Sequence, residues 1–270
     1  MRWNQRWLLE SLQAINFPPE LPSRLVWKII TTNNVRIGGN TGIGFEIVKK
    51  LSSEYPSYHI LIGSRDVHKA EDATSSLGAP TNINPIQLDV TDDASINHCF
   101  KAVEQHFGRL DILINNAGTA GQDLSGGRDL DNWREVFNHY YNVNVTGAAI
   151  LTETMLPLLQ KSKLPKIIFI SSELGSIANV LRRETKLVPV PFYSASKSAV
   201  NYLAAYYANK CPHFKVNSCC PGFNATGLND AELTEENDLR YGAINAVRLA
   251  TEGPNGATGT YTNKEGPIPW

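Results

Sequence analysis

The chain has 270 residues, of which 42% are hydrophobic and 19% charged, and its formal net charge is −1. That is ample apolar material for a packed core, while a near-neutral balance without a long basic run argues against nucleic acid or an anionic membrane as partner. No apolar run reaches the ~18 residues of a bilayer span. The four cysteines, Cys99, Cys211, Cys219 and Cys220, lack metal-ligand spacing, so reduced, buried thiols in a soluble cytoplasmic protein are expected.

Residues 1–36 read as an atypical N-terminal extension. Trp3, Trp7, Leu8, Leu12 and Ile15 make one apolar helical face, and Pro18, Pro19 and Pro22 follow it. Arg2 and Arg6 invite a presequence reading, which the early Glu10 and the low serine content oppose. The main domain is expected over residues 37–270. It opens on a glycine turn, Gly38-Gly39-Asn40-Thr41-Gly42-Ile43-Gly44, leading into a helix from Phe45 to Leu51. Asn33 to Ile37 is a poor strand to precede such a turn. Leu25 to Ile30 makes a better strand but stands too far upstream.

From there short β-like runs alternate with amphipathic stretches. Strands are predicted at His59–Gly63, Ile86–Val90, Leu110–Asn115, Lys166–Ser171, Lys215–Cys219 and Gly259–Thr262. Helices are predicted from Asp66 to Leu77, from Ala94 to Phe107 with Gly108 as the stop, and from a cap at Asp131 to Leu159 with a break. Two more run near Ser194–Lys210 and Glu235–Glu252. The alternation implies an α/β fold, doubly wound, with a mostly parallel sheet and helices on both faces (Rossmann-type), in a single domain. Ligands of such sheets sit at the carboxyl ends of the strands.

Three local patterns carry chemistry. Glycines at 38, 42 and 44 let the backbone approach phosphate oxygens, and the following helix offers its amides and positive dipole end; an ordinary turn is the competing reading. After the next strand, Ser64-Arg65 places a guanidinium where a dinucleotide's 2′-phosphate is bound, which selects NADPH. Asp66 is the rival as a ribose ligand for NADH, but it reads as a helix N-cap. Finally, Tyr193 and Lys197 stand four apart in a helical segment and share a face. A cation about 4 Å from a phenol contributes roughly 4 kcal/mol at an effective dielectric of 20, about three pKa units. That would bring Tyr193 toward neutrality as a proton donor. Alone, the pair describes many surface helices equally well.

Together these pieces resemble the short-chain dehydrogenase/reductase family. Asn115-Asn116-Ala117-Gly118 resembles its N-N-A-G, and Asn144-Val145-Thr146-Gly147 its asparagine-bearing segment. Ser171-Ser172-Glu173-Leu174-Gly175 resembles its S-S-x-x-G, and Pro221-Gly222-Phe223 with Thr226 its P-G-x-x-x-T loop. The ending Gly266-Pro267-Ile268-Pro269-Trp270 is closest to carbonyl reductase-like members that use NADP. The resemblance implies an NADPH-dependent reductase of ketones or aldehydes with Asn144, Ser172, Tyr193 and Lys197 as catalytic set. Tyr193 would be the acid/base, Lys197 its cationic neighbour and ribose ligand, and Ser172 a donor to the substrate oxygen. Asn144 would hold a water linking Lys197 to solvent. The cofactor would lie along Gly38, Asn40, Thr41, Gly42, Ile43, Gly44 and Arg65. Asp89 and Val90 would border the adenine, and Asn116, Ala117 and Gly118 the ribose side. Pro221, Gly222 and Thr226 would border the nicotinamide half.

Two features depart from the family pattern. The run before the first glycine is polar, and Ser172 and Tyr193 stand 21 residues apart, where the resemblance implies about a dozen. The added stretch, with Leu181 to Lys186, Pro189 and Pro191, reads equally as a lid over the substrate or a solvated loop. The alternative function is a catalytically impaired dinucleotide-binding sensor or scaffold of the same fold. A sugar-nucleotide epimerase would need more chain after Thr226. Substrate identity and the choice between monomer and homo-oligomer stay open.

Overall fold

The computed structural model describes residues 26–31 as backbone, together with 42–120, 133–182, 190–224, 232 and 234–270. The strands are β1 Val26–Thr31, β2 Tyr58–Ser64, β3 Ile83–Gln87, β4 Ile112–Asn115, β5 Lys166–Ile170, β6 Lys215–Cys219 and β7 Thr260–Thr262. They form one 7-stranded sheet in the order β3-β2-β1-β4-β5-β6-β7. Every pairing of these strands is parallel.

Alternation along the strands divides the core into two layers. Leu61, Leu113, Ile167, Phe169 and Val216 face one layer. Their neighbours Ile60, Ile62, Ile112, Ile114, Ile168 and Ile170 face the other. The first layer packs on α3 (Asp93–Phe107), α5 (Ala148–Leu159) and α7 (Pro191–Lys210). The second packs on α1 (Ile43–Glu54), α2 (Val67–Ser76) and α8 (Leu239–Thr251). The remaining helices are α4 (Trp133–Tyr141), joined to α5 by a π-helical segment at Asn142–Gly147, and the short α6 (Ile177–Leu181).

Several expectations hold to within a residue or two. Asp66 caps α2 by accepting from the His68 amide at 3.1 Å. Gly108 ends α3 in the left-handed conformation, φ 69°. The break foreseen between 131 and 159 is the π-helical segment; the Asp131 cap lies outside the described residues.

Two expectations are corrected. The third strand is Ile83–Gln87 rather than Ile86–Val90, so Asp89 and Val90 lie in the loop beyond it. The strand preceding the glycine turn is Val26–Thr31, inside the stretch set aside as an extension. It pairs with Tyr58–Gly63 on one side and Ile112–Ile114 on the other. It coincides to within one residue with the run Leu25 to Ile30 that reads as the better strand.

Candidate active site

Between β1 and β4 the strand order reverses direction, which opens a crevice at the carboxyl ends of the strands. By topology α1 begins on that side. Its N-cap is Gly42, with φ 84° and no side-chain capping bond. The φ value is one that a residue with a Cβ adopts only with strain. An uncapped helix start behind such a glycine is a cradle for a pyrophosphate, so these residues fit a dinucleotide. Ile43 and Gly44 open the helix, and Gly44 is buried. Gly38, Asn40, Thr41 and Thr226 lie outside the described residues.

Arg65 follows the last residue of β2 and is exposed. Its neighbour Asp66 uses a carboxylate oxygen on the α2 cap. Past β3, Asp89 accepts from the Thr91 amide at 2.8 Å and from the Thr91 hydroxyl at 2.7 Å. Val90 is buried against Gly147: a Cβ added there would stand 2.6 Å from the Val90 carbonyl oxygen. Only glycine lets the π-helical segment approach that loop so closely.

Asn116, Ala117 and Gly118 leave β4 toward the crevice. A Cβ on Gly118 would lie 3.4 Å from Asn144 Oδ1 and 3.5 Å from Lys197 Nζ, so this glycine sits directly beside both side chains. Asn144 is a strut. Its Oδ1 accepts from the Thr119 amide at 2.7 Å, and its Nδ2 donates to the Thr119 carbonyl at 3.2 Å and to Ser196 Oγ at 2.9 Å. Ser196 in turn donates to the Tyr193 carbonyl at 2.7 Å. The Asn144 side chain thus bonds protein groups through both its oxygen and its nitrogen. Such π-helical turns recur at functional sites.

Lys197 is buried, with Nζ donating to the Ile170 carbonyl at 2.9 Å. A Cβ on Gly175 would stand 2.7 Å from the Lys197 backbone carbon, so the Ser172–Gly175 turn lies flush against α7. The Ser172 hydroxyl lies close enough to the Tyr193 phenol to lower its pKa. Lys197 Nζ is 5.7 Å from the Tyr193 ring centre. The structure therefore brings Asn144, Ser172, Tyr193, Lys197 and Gly118 together at one end of the sheet. Pro221 and Gly222, after β6, are tied by Asn224 Nδ2, which donates to both of their carbonyls at 3.0 Å.

The electrostatics differ from expectation. Burial pushes the Tyr193 phenol up to about 12, with the neighbouring Ser172 hydroxyl opposing only in part. Burial also draws Lys197 down to about 8. At 5.7 Å from the ring the cation does not offset desolvation, so in the protein by itself Tyr193 is not brought toward neutrality. The proton stays on Tyr193 at neutral pH, which is the state a proton donor needs.

Sequence reasoning passed over Thr119, Ser196, Cys220 and Tyr261, all of which touch these residues. Thr119 and Ser196 adjoin recognised motifs; Tyr261 carries no local signal. Cys99, Cys219 and Cys220 are buried and all four cysteines are free. Among the described residues no cluster suits a metal ion, and no helix is long and apolar enough to cross a membrane.

Known proteins share the family and the fold. The chain is 35% identical to the short-chain dehydrogenase/reductase ATR10 of Stachybotrys chlorohalonatus, over 85% of this chain and 87% of that one. Salutaridine reductase from Papaver somniferum superposes with a TM-score of 0.70 at 28% identity, covering 87% of this chain and 98% of the other. The NADPH-bound carbonyl reductase from chicken fatty liver shares the fold, with a TM-score of 0.75 at 23% identity over 92% and 100%. A family model described as short chain dehydrogenase matches residues 34–237, and the chain belongs to that family of oxidoreductases.

Proposed function

We propose that this protein is an NADPH-dependent reductase that converts a ketone or aldehyde to an alcohol. The observation that carries the reading is the joining of Ser172, Tyr193 and Lys197 at the carboxyl end of β5, braced by Asn144. When bound, the reduced nicotinamide supplies a hydride to the carbonyl carbon. In this reading the hydroxyls of Ser172 and Tyr193 donate to the carbonyl oxygen. Donors so placed, where negative charge develops, contribute about 3–4 kcal/mol each in comparable sites. Tyr193, protonated at neutral pH, passes its proton to that oxygen. Lys197 stabilises the phenolate left behind and lies beside Gly118, where the ribose is expected. Asn144 holds the β4 loop, the π-helical turn and α7 in register.

Arg65 supports NADPH over NADH, because it follows β2 while Asp66 is engaged in capping. An apolar substrate is favoured by exposed apolar side chains on the segments that follow Ser172 (Ile177, Val180 and Leu181) and β6 (Phe223), and at Trp270. The alternative of a catalytically silent binding module drew its support from the want of a first strand, and β1 occupies that place. The reading is tested by carbonyl-dependent oxidation of NADPH across a panel of apolar ketones and aldehydes. Tight NADPH binding with no turnover on any of them would count against it.

A further inference from the structure

The Ser172–Glu173 peptide is gripped from both sides. Its carbonyl oxygen accepts a 2.5 Å hydrogen bond from the Tyr261 hydroxyl, which reaches across from β7. Its amide, on Glu173, donates to Cys220 Sγ at 3.2 Å, just past β6. The same sulfur accepts from the Gly222 amide at 3.3 Å, so it also ties this peptide to the loop that follows β6. The flanks are pinned separately. Ser171 donates its amide to the Cys219 carbonyl at 2.8 Å. The Gly175 carbonyl accepts from Ser198 Oγ at 2.9 Å and Asn201 Nδ2 at 3.2 Å.

Between those pins, Ser172 itself is extended, with φ −157° and ψ 146°. Its hydroxyl accepts from the Leu174 amide at 3.3 Å, longer than an ordinary bond. With so weak a cap bond, the place from which that hydroxyl reaches the site depends on where its clamped peptide holds the Ser172 Cα. Tyr261 is buried, its ring packs on Trp270 with centres 5.4 Å apart, and its carbonyl accepts from the Ile268 amide at 2.8 Å. The tail beyond it bends back to hold the chain after Ser172: the Pro269 carbonyl accepts from Ser176 Oγ at 2.6 Å, and the Trp270 carbonyl from the Ala178 amide at 3.0 Å.

We propose that Tyr261 and Cys220 clamp the Ser172–Glu173 peptide, and that Tyr261 is a positioning residue setting the aim of the Ser172 hydroxyl for carbonyl reduction. The proposal rests on the reductase reading above. Its consequence is that a residue of the last strand, 89 positions from Ser172, controls turnover without touching substrate.

The test is Tyr261→Phe in the full chain, which removes the hydroxyl and keeps the ring. The turnover number should fall about tenfold, while KM and the NADPH dissociation constant stay within about twofold. The Glu173 amide should exchange its hydrogen faster. In a Ser172→Ala background the same substitution should cost nothing further, because its route to the reaction is gone. Unchanged turnover and exchange would overturn the proposal. So would losses of turnover, NADPH affinity and melting temperature in proportion, which mark general damage. A wild type that reduces no carbonyl would defeat the reductase reading instead, and amide exchange would then decide the clamp by itself.

Discussion

Lys197 donates from Nζ to the carbonyl oxygen of Ile170, 2.9 Å away, so the last residue of β5 anchors the cation of α7. The bond fixes the ammonium at the carboxyl end of the sheet, beside Gly118 and within 5.7 Å of the Tyr193 ring centre. Its cost is visible in the lysine's own acidity: burial draws it from 10.5 to about 8.

That shift has a signature in stability. A lysine whose folded pKa lies below its unfolded value resists protonation in the fold, so its penalty is complete below pH 8 and fades as pH rises toward 10.5. Unfolding of the wild type and of Lys197→Met, followed in urea between pH 7 and 10, should show the difference moving in favour of the wild type above pH 8. Tyr193, raised to about 12, acts in the opposite sense above pH 10 but is present in both chains. A difference that stays flat, or moves toward the variant, would contradict the burial argument.

Cofactor choice is expected to hinge on Arg65. Charge-assisted hydrogen bonds to a phosphate contribute about 1.5–3 kcal/mol, so Arg65→Ala should weaken NADPH by roughly 10- to 100-fold. NADH affinity should change by no more than about twofold. Fluorescence titration with each cofactor distinguishes the cases; equal losses for both would remove Arg65 from a phosphate role.

Gly147 is where the fold leaves no room. An alanine Cβ would stand 2.6 Å from the Val90 carbonyl oxygen and 2.8 Å from Val90 Cγ2, and one of those neighbours is backbone. Gly147→Ala should cost about 1–3 kcal/mol, lowering the melting temperature by several degrees. Because Val90 is the expected border of the adenine site, dinucleotide affinity should drop as well. An unchanged thermal melt would show that the loop after β3 yields without cost.

Much of this architecture is legible in the residues, and the failures have physical causes. β5 and β6 stand out because each is a short run buried on both faces. The third strand is misjudged because Asn84 and Pro85 interrupt its apolar run. At the edge of the sheet that the described residues form, it tolerates a proline that an interior strand would not. β1 is hidden by its distance from the glycine turn, since the usual pattern sets them side by side. Within the site, the motifs bearing Gly118, Asn144, Ser172 and Lys197 lie together at the carboxyl ends of the strands. The Coulomb estimate for Tyr193 fails because it counts the cation and omits desolvation, a quantity fixed by packing. The bond from Tyr261 to Ser172 joins residues that only the sheet brings together.

The central claim is that Tyr193 delivers the proton in carbonyl reduction, and Tyr193→Phe tests it most directly. General acid catalysis contributes about 10²- to 10⁴-fold. The variant should therefore lose at least about a hundredfold in carbonyl-dependent NADPH oxidation while binding NADPH with affinity close to wild type. Turnover equal to that of the wild type would contradict the account.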